Sequence, residues 1–184
     1  MQGDAGNDLL NGGLGIDTAV FAGAVATTVN LALATAQNTG HGQDRLVSIE
    51  DVITGGAADV LRGNAAANTL TGNGGNDRLF GGAGSDVLSG GGNDSLAGWT
   101  GDDSLDGGAG ADTFSYFSGS GHDTIFDFED GVDVILIDLS TAASLADITV
   151  TDLGANTEIS FADVTITLLN FDHLLIGAGD FLFD

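Results

Sequence analysis

The sequence predicts an all-β fold: a right-handed parallel coil of very short strands, closed at its C-terminal end by a cap of antiparallel strands. Three observations predict this fold. A glycine-rich unit of about nine residues recurs through the middle of the chain, each unit carries one apolar residue near its end, and a more apolar segment without the repeat follows. The length of 184 residues is that of one ordinary domain.

The composition excludes several classes of function. The chain has 27 acidic residues against 3 basic ones and a formal net charge of -24 at pH 7, so we expect it to bind neither nucleic acid nor an anionic membrane surface. Cys is absent, which excludes disulfides and thiolate metal sites. Because no apolar run is long enough for a transmembrane helix, we also expect no membrane insertion.

The repeat is nearly continuous from residue 55 to residue 126. Its units read GGAADVLR, GNAAANTLT, GNGGNDRLF, GGAGSDVLS, GGGNDSLA, GWTGDDSLD and GGAGADTFS, and then SGSGHDTIF after an insert of Tyr116 and Phe117. Two earlier units are GDAGNDLLN at 3–11 and GGLGIDTAV at 12–20, and TGHGQDRLV at 39–47 is a degraded copy.

Each unit combines a glycine-rich turn with a three-residue strand whose central residue is apolar and points inward. A turn in every unit sends successive strands to opposite sides of a flattened coil, so one full turn takes about 18 residues and equivalent residues of alternate units stack about 4.8 Å apart. The inward residues are Leu61, Leu70, Leu79, Leu88, Leu96, Leu105, Phe114 and Ile125.

This geometry arranges the aspartates that precede the strands in two files along opposite edges of the coil. One file is Asp59, Asp77, Asp94 and Asp112, and the other is Asn68, Asp86, Asp103 and Asp123. Two carboxylates about 5 Å apart repel by roughly 3 kcal/mol at an effective dielectric constant near 20. Because a domain is stable by only about 5 to 15 kcal/mol, the files need a cation between neighbouring carboxylates.

The ligands on offer indicate which cation this is. Carboxylates and backbone carbonyls are hard oxygen donors, and the three His residues are scattered, so zinc, copper and iron are poor candidates. A flexible glycine turn suits the six to eight oxygen ligands of Ca²⁺ better than the tight octahedron of Mg²⁺. The sequence therefore predicts several bound Ca²⁺ ions.

The units GGLGIDTAV, GGAGSDVLS and GGAGADTFS resemble the RTX, or hemolysin-type, nonapeptide GGxGxDxUx, in which U is a large apolar residue. The resemblance implies a parallel β-roll with calcium between its turns. It also implies a secreted, extracellular protein that leaves the cell through a type I secretion transporter and folds on external calcium. RTX regions accompany an upstream enzyme or adhesin domain, as in serralysin-like proteases and mannuronan epimerases.

The same resemblance implies which residues bind the metal. The aspartate at the sixth position of each unit is the expected carboxylate ligand, namely Asp8, Asp17, Asp44, Asp59, Asp77, Asp86, Asp94, Asp103, Asp112 and Asp123. Turn carbonyls complete the shells, with Gly72, Gly74, Gly81, Ala83, Gly98, Gly107 and Ala109 as candidates. Asn68 replaces an aspartate, and units 55–62 and 90–97 are one residue short, so we expect calcium to bind best between residues 72 and 126.

Two regions lie outside the regular repeat. We expect residues 1–126 to form the roll, with a strand-containing excursion at about 21–54, and residues 127–184 to form the C-terminal cap. The alternating segments 28–33 and 46–49 predict strands in the excursion. Antiparallel strands are predicted in the cap at 134–139, 148–152, 157–161, 164–169 and 181–183. The chain end, residues 180–183, is similar to the type I secretion signal of RTX proteases, which makes it a candidate signal.

The chain is not expected to be an enzyme, because it has neither a nucleophile motif nor a transition-metal constellation. Arg45, Arg62 and Arg78 are interpreted as charges that neutralise an acidic edge. The predicted function is that of a calcium-binding module that folds outside the cell and supports secretion and stability of an upstream domain. The alternatives are a calcium-dependent adhesin or surface-assembly segment and an alginate-binding module of an epimerase-like enzyme.

Overall fold

A computed structural model describes all residues, 1–184, and consists almost entirely of short β-strands. Two one-turn 3-10 helices, Leu145–Asp147 and Ala178–Asp180, are the only helical segments. The strands of the N-terminal half are β1 Leu9–Asn11, β2 Thr18–Val20, β3 Thr28–Asn30, β4 Gln37–Asn38, β5 Gln43–Val47, β6 Asp51–Ile53, β7 Val60–Arg62, β8 Thr69–Thr71 and β9 Arg78–Ala83. The strands of the C-terminal half are β10 Val87–Ser89, β11 Ser95–Thr100, β12 Ser104–Asp106, β13 Thr113–Tyr116, β14 His122–Ile125, β15 Val134–Ile137, β16 Thr149–Asp152, β17 Thr157–Phe161, β18 Val164–Leu168 and β19 Phe181–Phe183.

Strands that follow one another along the repeat alternate between two large sheets. The nine-stranded sheet has the order β16-β17-β18-β14-β12-β10-β8-β6-β2, and the seven-stranded sheet has the order β19-β15-β13-β11-β9-β7-β3. Within the repeat each strand pairs in parallel with the strand two units away, as Leu70 with Leu88 and Leu88 with Leu105. The predicted parallel β-roll is therefore confirmed.

The core lies between the two sheets and is built from the central residue of each strand. Every inward residue from Leu61 to Ile125 in the repeat is completely buried, and these side chains belong to one cluster of 27 residues. Burying an aliphatic or aromatic side chain of this size stabilises a fold by about 1.5–3 kcal/mol. One buried side chain per unit thus supplies the hydrophobic contribution of each half-turn.

The N-terminal excursion begins after β2, and the coil resumes at β6. Strand β2 pairs in parallel with β6, which places Ala19 beside Val52. These two residues are 33 positions apart in the sequence, whereas one regular turn of the roll takes about 18 residues. Between them, β3 joins the seven-stranded sheet beside β7, and β5 pairs with β1 and β4 in a separate three-stranded sheet. The excursion therefore stays in contact with the roll through strand pairing.

The C-terminal part is more parallel than its sequence suggests. Strands β16, β17 and β18 form the antiparallel cap, but β15 pairs in parallel with β13, β18 with β14, and β19 with β15. For β15 the reason is that FEDGVDVIL, residues 128–136, keeps the repeat spacing, with Gly131, Asp133 and Ile135 in the fourth, sixth and eighth positions. Both sheets continue past residue 126, and a division into independent units at that point stays a prediction.

The structure contains no helix that is both long and apolar enough to span a lipid bilayer.

Candidate metal centre

Hydrogen bonds join the acidic residues of each edge from one turn of the roll to the next. On the first edge the backbone N–H of Asp59 donates to Oδ1 of Asp77 at 2.8 Å, and the N–H of Asp77 donates to Oδ1 of Asp94 at 2.7 Å. The N–H of Asp94 donates in the same way to Asp112, at 2.7 Å. The four aspartates therefore form a continuous file in which each carboxylate is held by the preceding turn.

The second edge repeats this arrangement on the other side of the roll. The N–H of Asn68 donates to Oδ1 of Asp86 at 2.8 Å, that of Asp86 to Asp103 at 2.8 Å, and that of Asp103 to Asp123 at 2.9 Å. All of these side chains are buried. The structure thus brings the predicted aspartates of the repeat into two vertical files.

Both files are longer than the sequence analysis predicted. Asp133 extends the first file, because the N–H of Asp112 donates to its Oδ1 at 2.9 Å. Glu50 extends the second file, because its Oε2 accepts a hydrogen bond from the N–H of Asp17 at 2.9 Å. A sequence signal existed for each of them, since Asp133 and Glu50 both stand two residues before a buried apolar residue, Ile135 or Val52.

The second carboxylate oxygen is the unusual feature of these files. Oδ2 is buried without any hydrogen-bond partner in eight of the aspartates, namely Asp8, Asp17, Asp59, Asp77, Asp86, Asp103, Asp112 and Asp123. In six of these, all except Asp8 and Asp17, Oδ1 accepts a backbone hydrogen bond. A buried polar atom without a partner costs about 1–3 kcal/mol, and a charged one costs more. Repeating this cost along two files indicates that a cation is the missing partner.

The glycine that opens each unit makes room for this oxygen. A Cβ added to Gly72 would lie 2.1 Å from Oδ2 of Asp77, and one added to Gly98 would lie 2.0 Å from Oδ2 of Asp103. The corresponding distances are 2.3 Å for Gly81 with Asp86 and 2.3 Å for Gly107 with Asp112. A side chain at the first position would therefore fill the space into which the free oxygen points.

Carbonyl oxygens of the same turns are also free. The carbonyls of Gly74, Gly107 and Ala109 accept no hydrogen bond, whereas that of Gly72 accepts one from Oγ1 of Thr54 at 3.3 Å. The other predicted carbonyl donors lie within strands, Gly81 and Ala83 in β9 and Gly98 in β11. Free carboxylate and carbonyl oxygens at one turn are the hard donor set that Ca²⁺ requires.

Burial also raises the pKa of several aspartates in the two files. Burial, together with the neighbouring carboxylates, raises the pKa of Asp77, Asp86 and Asp112 to about 6, although a backbone hydrogen bond to each lowers it. The same causes raise the pKa of Asp123 to about 8. Protons therefore stay on these carboxyl groups at pH values at which free aspartate is ionised, unless a cation replaces them.

No three side chains among His, Cys, Asp and Glu converge on one point. The free donors are instead single carboxylates, one per unit, beside turn carbonyls.

The family described as the RTX calcium-binding nonapeptide repeat (4 copies) matches residues 1–19, 53–88 and 89–114. This chain contains RTX calcium-binding repeats. An RTX repeat domain is a structural calcium-binding module, and RTX repeats are typical of secreted proteins.

Solved structures with similar folds accompany this match. The extracellular lipase LipA from Serratia marcescens has a TM-score of 0.56 at 20% sequence identity, over 98% of this chain and 37% of the lipase chain. The AlgE6R2 subunit of the Azotobacter vinelandii mannuronan C5-epimerase has a TM-score of 0.49 at 27% identity, over 67% of this chain and 91% of that one. The lipase match shows a shared β-roll fold, and this chain spans only about a third of the lipase. A search of curated protein sequences gives no match.

Two RTX aspartates, Asp44 and Asp94, differ from the rest because both of their carboxylate oxygens accept hydrogen bonds. Oδ2 of Asp94 accepts hydrogen bonds from the N–H groups of Gly91 at 2.6 Å and Gly92 at 3.0 Å, because the shortened turn folds back onto it. Asp44 likewise has two partners, the N–H of Asp8 and the hydroxyl of Thr39. The role of Asp44 and Asp94 as metal ligands stays a prediction, and neither has a free oxygen.

Both polar atoms of the Asn68 side-chain amide have hydrogen-bond partners within the protein. Its Oδ1 accepts a hydrogen bond from the N–H of Asn64, and its Nδ2 donates to the carbonyl of Glu50, both at 2.8 Å. An amide in this position bridges two turns of the RTX roll, which is consistent with the weak site predicted there.

The arginines of this RTX roll do not neutralise an acidic edge. The guanidinium carbons of Arg62 and Arg78 lie 4.2 and 5.5 Å from the centre of the Phe80 ring. Nε of Arg45 donates to the carbonyl of Ala34 at 3.0 Å. The ion pairs of the structure involve His173 alone, so the interpretation from the sequence was wrong. Because Arg62 and Arg78 flank the three-residue strand centres, their side chains lie on a sheet face instead of an edge.

Proposed function

We propose that this RTX module binds several Ca²⁺ ions along its two files of acidic residues and that binding is coupled to folding. The observation that carries the proposal is the repeated buried Oδ2 atom that has no hydrogen-bond partner. Calcium supplies positive charge and accepts oxygen ligands there. The chain contributes the free Oδ2 atoms of the aspartates, with Asp133 and Glu50 at the ends of the files, and the free carbonyls of the turns.

The coupling to folding follows from electrostatics. In the unfolded chain the aspartates are far apart and hydrated, whereas the folded roll buries them in files where their charges repel. A ligand that binds only the folded state stabilises it in proportion to the logarithm of its concentration. Calcium therefore shifts the chain from a disordered to a folded state when its concentration rises.

A secreted role follows from this coupling. Sites in extracellular modules bind calcium with dissociation constants of about 10⁻⁴ to 10⁻³ M, so they are empty inside a cell and filled outside it. The chain would then pass unfolded through a type I secretion transporter, with residues 180–183 within its signal, and fold after export. The similarity to about a third of an extracellular lipase supports a module attached to an upstream enzyme or adhesin domain. In this arrangement the module itself is not catalytic.

A calcium titration tests the proposal. Circular dichroism of the purified chain in chelator, followed by addition of CaCl₂, is expected to show a cooperative change from a disordered to a β-rich spectrum. MgCl₂ at the same concentrations serves as the control and is expected to produce little change. A chain that has the same β-rich spectrum in chelator and in calcium would contradict coupled folding, and isothermal titration without heat from calcium would contradict binding.

A further inference from the structure

Trp99 has a strained backbone for a bulky residue. It occupies the second position of its unit, where Gly91 and Gly108 of the two units that flank it in the sequence have φ values of 142° and 86°. Trp99 adopts φ of 73°, in the left-handed region that a residue with a Cβ enters at a cost of about 1–2 kcal/mol. Glycine would remove this cost, so the indole must contribute something that glycine does not.

A second irregularity of the repeat lies beside the first. Tyr116 and Phe117 are an insert between two units, and the insert places Phe117 against Trp99. The ring centroids are 5.3 Å apart with an angle of 27° between the planes, which is a stacked arrangement. Two separate departures from a regular repeat therefore meet at one corner of the roll and form a pair of aromatic rings.

The stacked pair is held in place but is open to solvent. The N–H of Phe117 donates to Oγ of Ser120 at 3.1 Å, and the N–H of Ser120 donates to the carbonyl of Phe117 at 3.2 Å, which closes a turn behind the ring. Trp99, the single tryptophan, is nevertheless 45% exposed. Burial in the core thus does not account for its presence, and its rigid support is the feature of a preorganised binding surface.

Ser118, which directly follows Phe117 in the sequence, forms a polar pair with a distant turn. Oγ of Ser118 donates to the carboxylate of Asp163 at 3.3 Å, and both residues are exposed. Asp163 belongs to the turn between β17 and β18, so two distant parts of the chain form this polar pair. A flat aromatic surface beside a carboxylate and a hydroxyl combines an apolar contact area with hydrogen-bond acceptors.

We propose that Trp99 and Phe117, together with Ser118 and Asp163, form a binding surface for a neutral polysaccharide. The C–H face of a pyranose ring carries slight positive charge and packs on the negative face of an indole ring. The sugar hydroxyls donate hydrogen bonds to the carboxylate of Asp163. A neutral chain is favoured over an acidic one because Asp163 and the net charge of -24 repel polyanions.

Affinity electrophoresis tests this proposal with the whole chain at saturating calcium. Gels contain one soluble polysaccharide each: hydroxyethyl cellulose, xyloglucan, galactomannan, laminarin or glycogen as neutral probes, and alginate as the acidic one. The unsubstituted chain is expected to be retarded by at least one neutral polysaccharide and not by alginate. Isothermal titration with the matching oligosaccharide then gives the affinity.

The decisive variant is Trp99→Gly, which restores the residue that the repeat uses at this position and removes the backbone strain. It is expected to fold at least as well as the parent and to bind the polysaccharide at least tenfold more weakly. Phe126→Ala is the matched control, because Phe126 is an equally exposed aromatic residue, 48% accessible, on the side of the nine-stranded sheet. Its affinity is expected to stay within twofold of the parent.

Each other result overturns the proposal. These results are retardation by alginate, alone or together with a neutral polysaccharide, no retardation by any probe, unchanged binding in Trp99→Gly, and equal loss of binding in Phe126→Ala. Circular dichroism of every variant in the same calcium buffer reports folding separately, so a failure of calcium-coupled folding is distinguishable from a failure of polysaccharide binding.

Discussion

The backbone N–H of Asp103 donates to Oδ1 of Asp123 at 2.9 Å, across 20 residues of sequence. The same carboxylates keep their Oδ2 atoms buried and without a partner. One half of each side chain thus holds the next turn in register, and the other half is free to bind a cation. This division makes register and calcium binding properties of the same residues, and it underlies the predictions that follow.

Asp77→Asn is expected to weaken calcium binding and leave the register intact. Asparagine keeps an oxygen for the N–H of Asp59 but removes the negative charge of the free Oδ2. We expect the calcium concentration at the folding midpoint to rise about tenfold, which corresponds to about 1.4 kcal/mol. Circular dichroism during a calcium titration measures this midpoint.

Asp94→Asn is the matched comparison for this substitution. Both oxygens of Asp94 accept backbone hydrogen bonds, Oδ1 from Asp77 and Oδ2 from Gly91 and Gly92, so the NH₂ group of an asparagine there meets a backbone N–H whether or not calcium is bound. We expect this variant to lose stability to urea even at saturating calcium. Equal calcium midpoints for the Asp77 and Asp94 variants would contradict the assignment of the free Oδ2 as a ligand.

Gly98→Ala is expected to block one turn for calcium. The added Cβ would lie 2.0 Å from Oδ2 of Asp103, so the carboxylate must move out of the turn. We expect a folding midpoint at least tenfold higher in calcium and a less cooperative titration. Gly179→Ala is the control, because nothing lies within 4 Å of its added Cβ. A titration of Gly98→Ala that matches that of Gly179→Ala would show that the opening glycine does not serve the site.

The chain without calcium is expected to become less stable as the pH rises. The pKa of Asp77, Asp86 and Asp112 is raised from 3.8 to about 6 in the folded state, and that of Asp123 to about 8. The folded state therefore binds more protons than the unfolded state between these limits. Its extra stability is fully present below about pH 4 and is lost as the pH rises through 6 and then 8.

Circular dichroism in chelator between pH 4.5 and 9 measures this dependence as the loss of β structure from a chain that is folded in acid. Asp123→Asn is expected to remove the loss between about pH 6 and 8, where the other three groups are already ionised, and to leave most of the loss below pH 6. Calcium affinity should rise over the same range, because calcium must displace protons from the carboxyl groups. Stability in chelator that increases from pH 5 to pH 8 would contradict the assigned pKa shifts.

Leu88→Ala is expected to destabilise the calcium-bound roll by about 2–5 kcal/mol, because it opens a cavity between two turns. Leu88 is completely buried and stacks between Leu70 and Leu105. Leu174→Ala is the control, since Leu174 is 77% exposed and its loss should change the stability by less than about 0.5 kcal/mol. Thermal unfolding in excess calcium compares the two, and similar melting temperatures would contradict the core built from strand centres.

The regular part of the fold was predictable from the sequence because it depends on local spacing. An apolar residue at the eighth position and an aspartate at the sixth repeat every nine residues or so, and strand pairing between alternate units then follows for Leu70, Leu88 and Leu105. The same periodicity was sufficient to place Asp86 and Asp103 in one file.

Irregular units were harder to interpret, because their consensus residues are missing. Glu50 is a glutamate where the repeat has an aspartate, and the unit of Asp133 does not begin with glycine. Both residues nevertheless join the files when their strands stack. Strands β15 and β19 pair in parallel because β13 offers an open edge to β15, and β15 in turn offers one to β19.

By itself the sequence determined the parallel roll, its buried strand centres and the alignment of the repeat aspartates, since each depends only on which residue types recur at a fixed interval. Only the tertiary structure decided which carboxylate oxygens are free. Backbone N–H groups of the shortened turn reach Oδ2 of Asp94, whereas no N–H group reaches Oδ2 of Asp77. It also decided that Trp99 meets Phe117, since that contact depends on how two irregular turns stack.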